Sequence, residues 1–284
     1  MTTRTMLITG ASSGLGLALA RQALASGYTV VGTVRSAQAA ADLEGLAPGR
    51  AIGRILDVTS DAEVEDVIQG VECDVAPIDV LIANAGYGHE GTFEESTMAE
   101  LRRQFDVNVF GAIAVIKAVL PGMRKRRSGH VLVITSVGGL IPSPTLSFYN
   151  GSKFALEGIT RSLATEVARF GVHVTAVEPG AFRTDWSGRS MSRAARSVPD
   201  YDDLIDPISA ARAGYNGSQP GDPARAGEAI LQLIGADQPP THLLLGTDAV
   251  AAVTASLTAF AAEVRQWQAL SESTDFTRSS RGVT

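Results

Sequence analysis

Short runs rich in β-branched and aliphatic residues alternate with longer stretches of helical periodicity through most of the chain, the pattern of repeated βαβ units around a parallel sheet. Strands are predicted near 5–9, 28–34, 51–57, 79–83, 130–135, 172–178 and 241–246, and helices near 15–26, 36–46, 61–70, 96–120, 148–169 and 223–235. Val80-Leu81-Ile82-Ala83 and the run from Val172 to Val177 are almost continuously apolar, as strands covered on both faces should be. The expected fold is therefore α/β, a doubly wound parallel sheet of about seven strands with helices on both faces. Two stretches break the rhythm. Residues 185–222 mix Arg, Asp, Ser, Gly and Pro with little periodicity and follow the sixth strand, so they are expected to form a lid at the carboxyl edge of the sheet. Residues 247–284 form a C-terminal extension, in which Ala249 to Leu270, with Phe260, Val264 and Trp267, reads as a final docking helix, and the last dozen residues as frayed.

Composition narrows this picture. A chain of 284 residues with 45% hydrophobic residues suits one large domain over 1–284. Its net charge of −6 argues against a nucleic-acid partner, and the one basic cluster, Arg124-Lys125-Arg126-Arg127, belongs at the carboxyl end of a helix, where cations are favourable. Cys73 is the single cysteine, so no intramolecular disulfide forms and a cytoplasmic location is expected. No signal-peptide pattern and no run of about eighteen uncharged apolar residues occurs, which predicts that nothing spans a membrane. His89, His130, His173 and His242 are scattered outside metal-ligand spacings, so no metal site is expected.

The chemistry lies in two constellations. Met6-Leu7-Ile8-Thr9 leads into Gly10-Ala11-Ser12-Ser13-Gly14-Leu15-Gly16 and then a helix. Such a strand, glycine turn and helix aims backbone N–H groups at a pyrophosphate. Gly10 makes the tight turn, Gly14 the close approach and Gly16 the helix-to-strand packing. Farther on, Tyr149 and Lys153 stand four residues apart on one helical face, with Ser136 upstream at the end of an apolar run. An ammonium beside a phenol favours the phenolate, and a hydroxyl can hold a carbonyl oxygen, which is the equipment of reversible hydride transfer.

Thr9-Gly10-x-x-x-Gly14-x-Gly16, Asn84-Ala85-Gly86, Asn108, Ser136, Tyr149-x-x-x-Lys153 and Pro179-Gly180, in this order and separation over about residues 5–246, resemble the short-chain dehydrogenase/reductase family. The resemblance implies a single Rossmann-like domain that binds a nicotinamide dinucleotide. It implies that Tyr149 is the general acid or base, that Ser136 holds the substrate oxygen, and that Lys153 contacts the ribose hydroxyls while lowering the Tyr149 pKa. Asn108 resembles the residue that bends its helix and holds a relay water. Cofactor contacts are implied for Gly10, Ser12, Ser13, Gly14, Leu15 and Gly16, for Asn84, Ala85 and Gly86, for Asp57 and Val58 at the adenine, and for Pro179, Gly180, Phe182 and Thr184 near the nicotinamide. Two departures stand out: Ala83 replaces a frequent Asn, and Gly151 inside the Tyr149–Lys153 turn costs about 1 kcal/mol of helix propensity.

At the end of the second predicted strand, no carboxylate is present to mark NAD(H); Val34 stands there and Arg35 follows, a partner for a 2′-phosphate, so NADP(H) is favoured over NAD(H). Candidate substrate walls are Val137, Gly138, Gly139, Leu140, Pro142, Phe148, Phe182 and Trp186, with Tyr87 and His89 nearby, and no convergent pair of arginines is assignable. The expected reaction interconverts a lipophilic or aromatic ketone or aldehyde and its alcohol. Alternatives are a β-ketoacyl-thioester reductase of lipid or polyketide metabolism and a non-catalytic dinucleotide-sensing regulator. By the same resemblance the helices near 96–120 and 148–169 pair subunits into a homodimer or homotetramer.

Overall fold

The computed structural model describes residues 3–276, so that part of the C-terminal stretch expected to fray, 277–284, lies outside the described residues. Seven parallel strands form the central sheet: β1 (Thr5–Thr9), β2 (Thr29–Val34), β3 (Ala51–Ile55), β4 (Val80–Ala83), β6 (Gly129–Ile134), β7 (Val172–Pro179) and β9 (His242–Leu245). They lie in the order β3-β2-β1-β4-β6-β7-β9. Chain direction across the sheet reverses between β1 and β4, which leaves a crevice beyond their carboxyl ends.

Alternation along the strands divides the core in two. Leu7, Val31, Leu81, Val131 and Val133 face one side, where they meet α3 (Asp61–Asp74), α5 (Ala112–Arg126) and α6 (Ser147–Val167). Met6, Ile8, Val30, Ile82 and Leu132 face the other, under α1 (Gly14–Ala25), α2 (Ala37–Glu44) and α8 (Pro223–Ile234). Before α5 the chain runs through α4 (Met98–Phe105), opened by a capping box between Thr97 and Glu100, and then a π-helical turn, Asp106–Gly111, which contains Asn108. The helix expected over 96–120 is thus interrupted where Asn108 was expected to bend it. Gly111 lets this turn pack closely on Val58, to which a Cβ there would come within 2.6 Å.

Three elements are absent from the sequence-based expectation. β5 (Gly88–Glu90) and β8 (Met191–Arg193) pair in parallel as a separate small sheet, and α7 (Asp202–Tyr215) folds within 185–222 despite Pro207 in its interior. Polar composition hid them, for buried carboxylates hold this region. Glu95 accepts from the backbone N–H groups of Ser197 and Val198, and Glu90 pairs with Arg193 and Arg212. The segment expected as a lid is a structured layer anchored on the loop after β4.

The C-terminal extension departs further. α9 (Thr247–Glu272) buries only Ala249 and Val253, while Leu257, Phe260, Val264, Trp267 and Leu270 lie exposed, so it docks on its own domain by its first turns alone. By length and composition two helical stretches, Met98–Arg126 and Thr247–Glu272, are long and apolar enough to cross a membrane when two charges are tolerated, though neither holds an uncharged run of eighteen residues. The first, made of α4, the π-helical turn and α5, buries one face in the domain core; the second is mostly exposed.

Gly151 sits inside α6, and a Cβ there would meet the Phe105 ring at 3.7 Å, an ordinary contact. Gly151→Ala is expected to raise unfolding stability by about 1 kcal/mol in denaturant titration; a loss of stability would show that the turn needs glycine for another reason.

Candidate active site

Backbone geometry creates the first half of the site. Gly10 and Gly14 have φ of +68° and +57°, the left-handed region open to glycine. Gly16 cannot carry a side chain, because a Cβ would lie 2.4 Å from the Gly10 carbonyl oxygen and 2.5 Å from Asn84 Nδ2. Asn84 fixes the turn: its amide donates to the carbonyls of Thr9 (2.9 Å) and Gly10 (3.1 Å), while Thr9 Oγ1 accepts from the N–H groups of Asn84 and Ala85. The same side chain that lines the cavity thus ties β1 to β4. The helix that follows is left open, since Ser13 at its N-cap makes no side-chain cap and no acidic residue stands in its first turn. Among the described residues no side chain caps the first N–H groups of α1, which begin at the cavity wall, a fit for an anionic phosphate.

A single cavity of about 1280 Å³ runs from this turn to the 185–222 layer. It is lined by Gly10, Ser12, Ser13, Gly14 and Leu15, by Arg35, Asp57 and Val58, by Asn84, Ala85 and Gly86, and by Ser136, Tyr149, Lys153, Pro179, Gly180, Phe182 and Thr184. Of the cofactor and catalytic residues singled out in the sequence, Gly16 and Asn108 stand behind that lining. Asn108 Oδ1 accepts from Tyr87 N (3.0 Å), and Nδ2 donates to Tyr87 O (3.0 Å) and Ser152 Oγ (3.1 Å), bracing the wall. Arg35 is exposed at the end of β2. Across from it Asp57 accepts from the N–H and hydroxyl of Thr59, which hold its carboxyl below the usual range, with Arg35 adding to the effect.

At the far end α6 brings Tyr149 and Lys153 onto one face, both buried. Lys153 Nζ lies 5.9 Å from the Tyr149 ring centroid and donates to the Ile134 carbonyl at 2.8 Å. Ser136, capping the turn after β6, accepts from Gly138 N at 3.0 Å. The protonation balance differs from the sequence-based expectation. Burial pushes the Tyr149 phenol up to about 12, opposed by the Ser136 hydroxyl, and burial brings Lys153 down to about 8. Desolvation outweighs the helical neighbour because both groups lie under the sheet edge, which spacing alone cannot report.

Tyr149 packs against Trp186 with ring centroids 5.2 Å apart, and Leu146, Tyr149 and Met191 form an apolar cluster beside it. Val137, Gly138, Phe182, Trp186, Tyr87 and His89 line the cavity as expected; Gly139, Leu140, Pro142 and Phe148 do not. Phe148 instead stacks on His89 at 5.5 Å, behind the wall. Arg189 and Arg212 also line the cavity, and each meets its own carboxylate, Asp185 at 3.3 Å and Glu90 at 2.5 Å.

The sequence also gave no sign of two acidic positions. Asp248, in the first turn of α9, accepts from Ala181 N at 2.7 Å and shapes the loop after Pro179. Glu157, one turn beyond Lys153, is buried with no hydrogen-bond partner for either oxygen, and Glu178 and His242 converge on it with donor atoms within 4.8 Å of one another. His242 Nδ1 is 2.5 Å from Glu178 and 3.7 Å from Glu157. These three are far apart in the chain, so no local spacing announces them.

Residues 4–194 match the family described as short chain dehydrogenase. A short-chain dehydrogenase from Streptomyces avermitilis is similar at 40% identity and a TM-score of 0.90, over 97% of this chain and 100% of that one. Human retinol dehydrogenase 8 is 39% identical over 84% of this chain and 79% of its own length. An alcohol dehydrogenase from Thermococcus sibiricus, solved with 5-hydroxy-NADP, is 25% identical with a TM-score of 0.71, over 86% of this chain and 96% of that one.

Burial drives Glu157 up to about 7 from an ordinary 4.5. Because its folded pKa is the higher one, the folded state holds the extra proton and loses stability as pH rises between those values. Glu157→Gln is expected to gain about 1–3 kcal/mol on the wild type between about pH 5 and about pH 8 in denaturant unfolding; a gap independent of pH would refute the assignment.

Proposed function

The chain belongs to the short-chain dehydrogenase/reductase family, oxidoreductases acting between CH–OH and C=O, and on that premise we propose that it interconverts a lipophilic or aromatic ketone or aldehyde with its alcohol, using NADP(H). The observation that carries the reading is one cavity with an uncapped helix N-terminus at one end and Ser136, Tyr149 and Lys153 at the other.

The residues fit a nicotinamide dinucleotide. The N–H groups at the start of α1 would hold its pyrophosphate, Asp57 and Val58 its adenine, Lys153 its ribose hydroxyls and Thr184 its carboxamide. The bound dinucleotide supplies or accepts the hydride. Ser136 orients the substrate oxygen, and Tyr149 exchanges a proton with it. With its pKa raised, the phenol is protonated at neutral pH, ready to donate during carbonyl reduction; alcohol oxidation asks it to accept a proton, which higher pH favours. An intact acid is superfluous in a mere dinucleotide sensor. The apolar cluster of Leu146, Trp186 and Met191 beside the Tyr149 ring supports a lipophilic substrate, and the likeness to retinol dehydrogenase 8 agrees with it.

Arg35, exposed where NAD-specific sites carry an acid, supports the preference for a 2′-phosphate. Replacing Arg35 by Ala is expected to raise the KM for NADPH about tenfold or more, the equivalent of 1.4 kcal/mol, with little change for NADH; equal effects on both refute the preference. In a panel of lipophilic carbonyls followed by NADPH absorbance, Tyr149→Phe is expected to cut kcat at least about 100-fold while leaving cofactor binding, read by fluorescence, intact. For the wild type, kcat/KM of alcohol oxidation should climb between about pH 7 and about pH 9; a decline over that window would remove Tyr149 as the base.

A further inference from the structure

Among the described residues no part of the domain covers α9 beyond its second turn, and the apolar residues of this helix follow a strict order. Val250, Val253, Leu257, Phe260, Val264 and Trp267 are spaced alternately three and four apart, the seam of a coiled coil. Val253 is buried against the domain, and the same face then continues into solvent with Leu257 63%, Phe260 64%, Val264 52% and Trp267 54% exposed, flanked by Leu270 at 63%. We propose that this face is an interface with a second copy of the chain, the two α9 helices packing antiparallel about Glu263 and Val264.

Three observations select that occupant. Large apolar side chains of this kind each present roughly 100–130 Å² when about three-fifths exposed, so the stripe and its flanks offer about 600–800 Å² per copy, close to the ~800 Å² per partner of a stable dimer. An antiparallel pair about 263 and 264 sets Phe260 against the partner's Trp267 and Leu257 against the partner's Leu270, two matched apolar pairs on each side of a central Val264 that meets the stem of the partner's Glu263. Glu263 and Arg265 are the sole charges between Ala249 and Ser271, and the same register puts Glu263 beside the partner's Arg265, opposite charges together. A bilayer is the poorer occupant. The uncharged run Ala249–Ala262 is shorter than the roughly 20 residues that span one, and Glu263 and Arg265 interrupt the remainder.

The experiment uses the full chain with Cys73→Ser, removing the native thiol. Light scattering of the eluted protein should give a mass that halves in Phe260→Glu/Val264→Glu, with carbonyl reduction per subunit within about twofold, as both side chains are remote from the cavity. Leu257→Cys/Leu270→Cys should form a disulfide-linked dimer on mild oxidation, and Leu257→Cys alone should not. A mass unchanged by the double glutamate variant, a monomeric wild type, or flotation with phosphatidylcholine vesicles that the variant loses without a change in mass would each overturn the interface. Cross-linking through Leu257→Cys alone would overturn the antiparallel register.

Discussion

The amide of Asn84 is the interaction on which the site depends. Its bonds to the carbonyls of Thr9 and Gly10 join the carboxyl ends of β1 and β4, the two strands between which the sheet reverses its winding. A crevice at that point is a consequence of topology. Whether it can receive a pyrophosphate depends on a turn of defined shape, and that shape is set by one side chain together with the clearance left by Gly16. The uncapped start of α1 completes the arrangement: in most helices a side chain would satisfy those N–H groups, and here they stay directed at the cavity.

At the opposite end, dryness governs the chemistry. Tyr149 and Lys153 stand where burial acts on both in the sense that keeps them neutral, raising the phenol and lowering the ammonium. Behind them the helix carries Glu157, whose carboxyl meets Glu178 and His242 rather than solvent. Acidic, basic and phenolic groups thus follow one another along successive turns of α6 and on to the edge strand, with protons distributed by burial more than by sequence neighbours.

Closure of the far end of the cavity rests on carboxylates of the β4–α4 connection. Glu90 and Glu95 are buried, and each gathers part of the 185–222 layer, Glu90 through Arg193 and Arg212, Glu95 through backbone N–H groups. Arg212 also donates to Thr145 Oγ1 at 2.8 Å, where Thr145 holds a positive φ of 67°, a costly conformation for a β-branched residue. The layer, the loop before α6 and the small β5–β8 sheet therefore form one polar-bonded unit over the apolar cluster beside Tyr149.

Periodicity determined the seven-stranded sheet and its two helical layers, because strands buried on both faces leave continuous apolar runs that no loop imitates. Local motifs determined the glycine turn and the placing of Tyr149 beside Lys153, since each relation spans a few residues. What the fold decided needed distant partners. α7 and β8 form around charges paired across the chain, so hydrophobic period gave them no mark. Asn84 became a brace because Thr9 lies opposite it, and Glu157 met His242 only once α6 lay over β7, whose neighbour β9 carries the histidine. In α9 the sequence displayed an apolar face and the tertiary structure left it uncovered: periodicity records that a surface must be buried, while the surface that buries it is set by the geometry of the whole molecule.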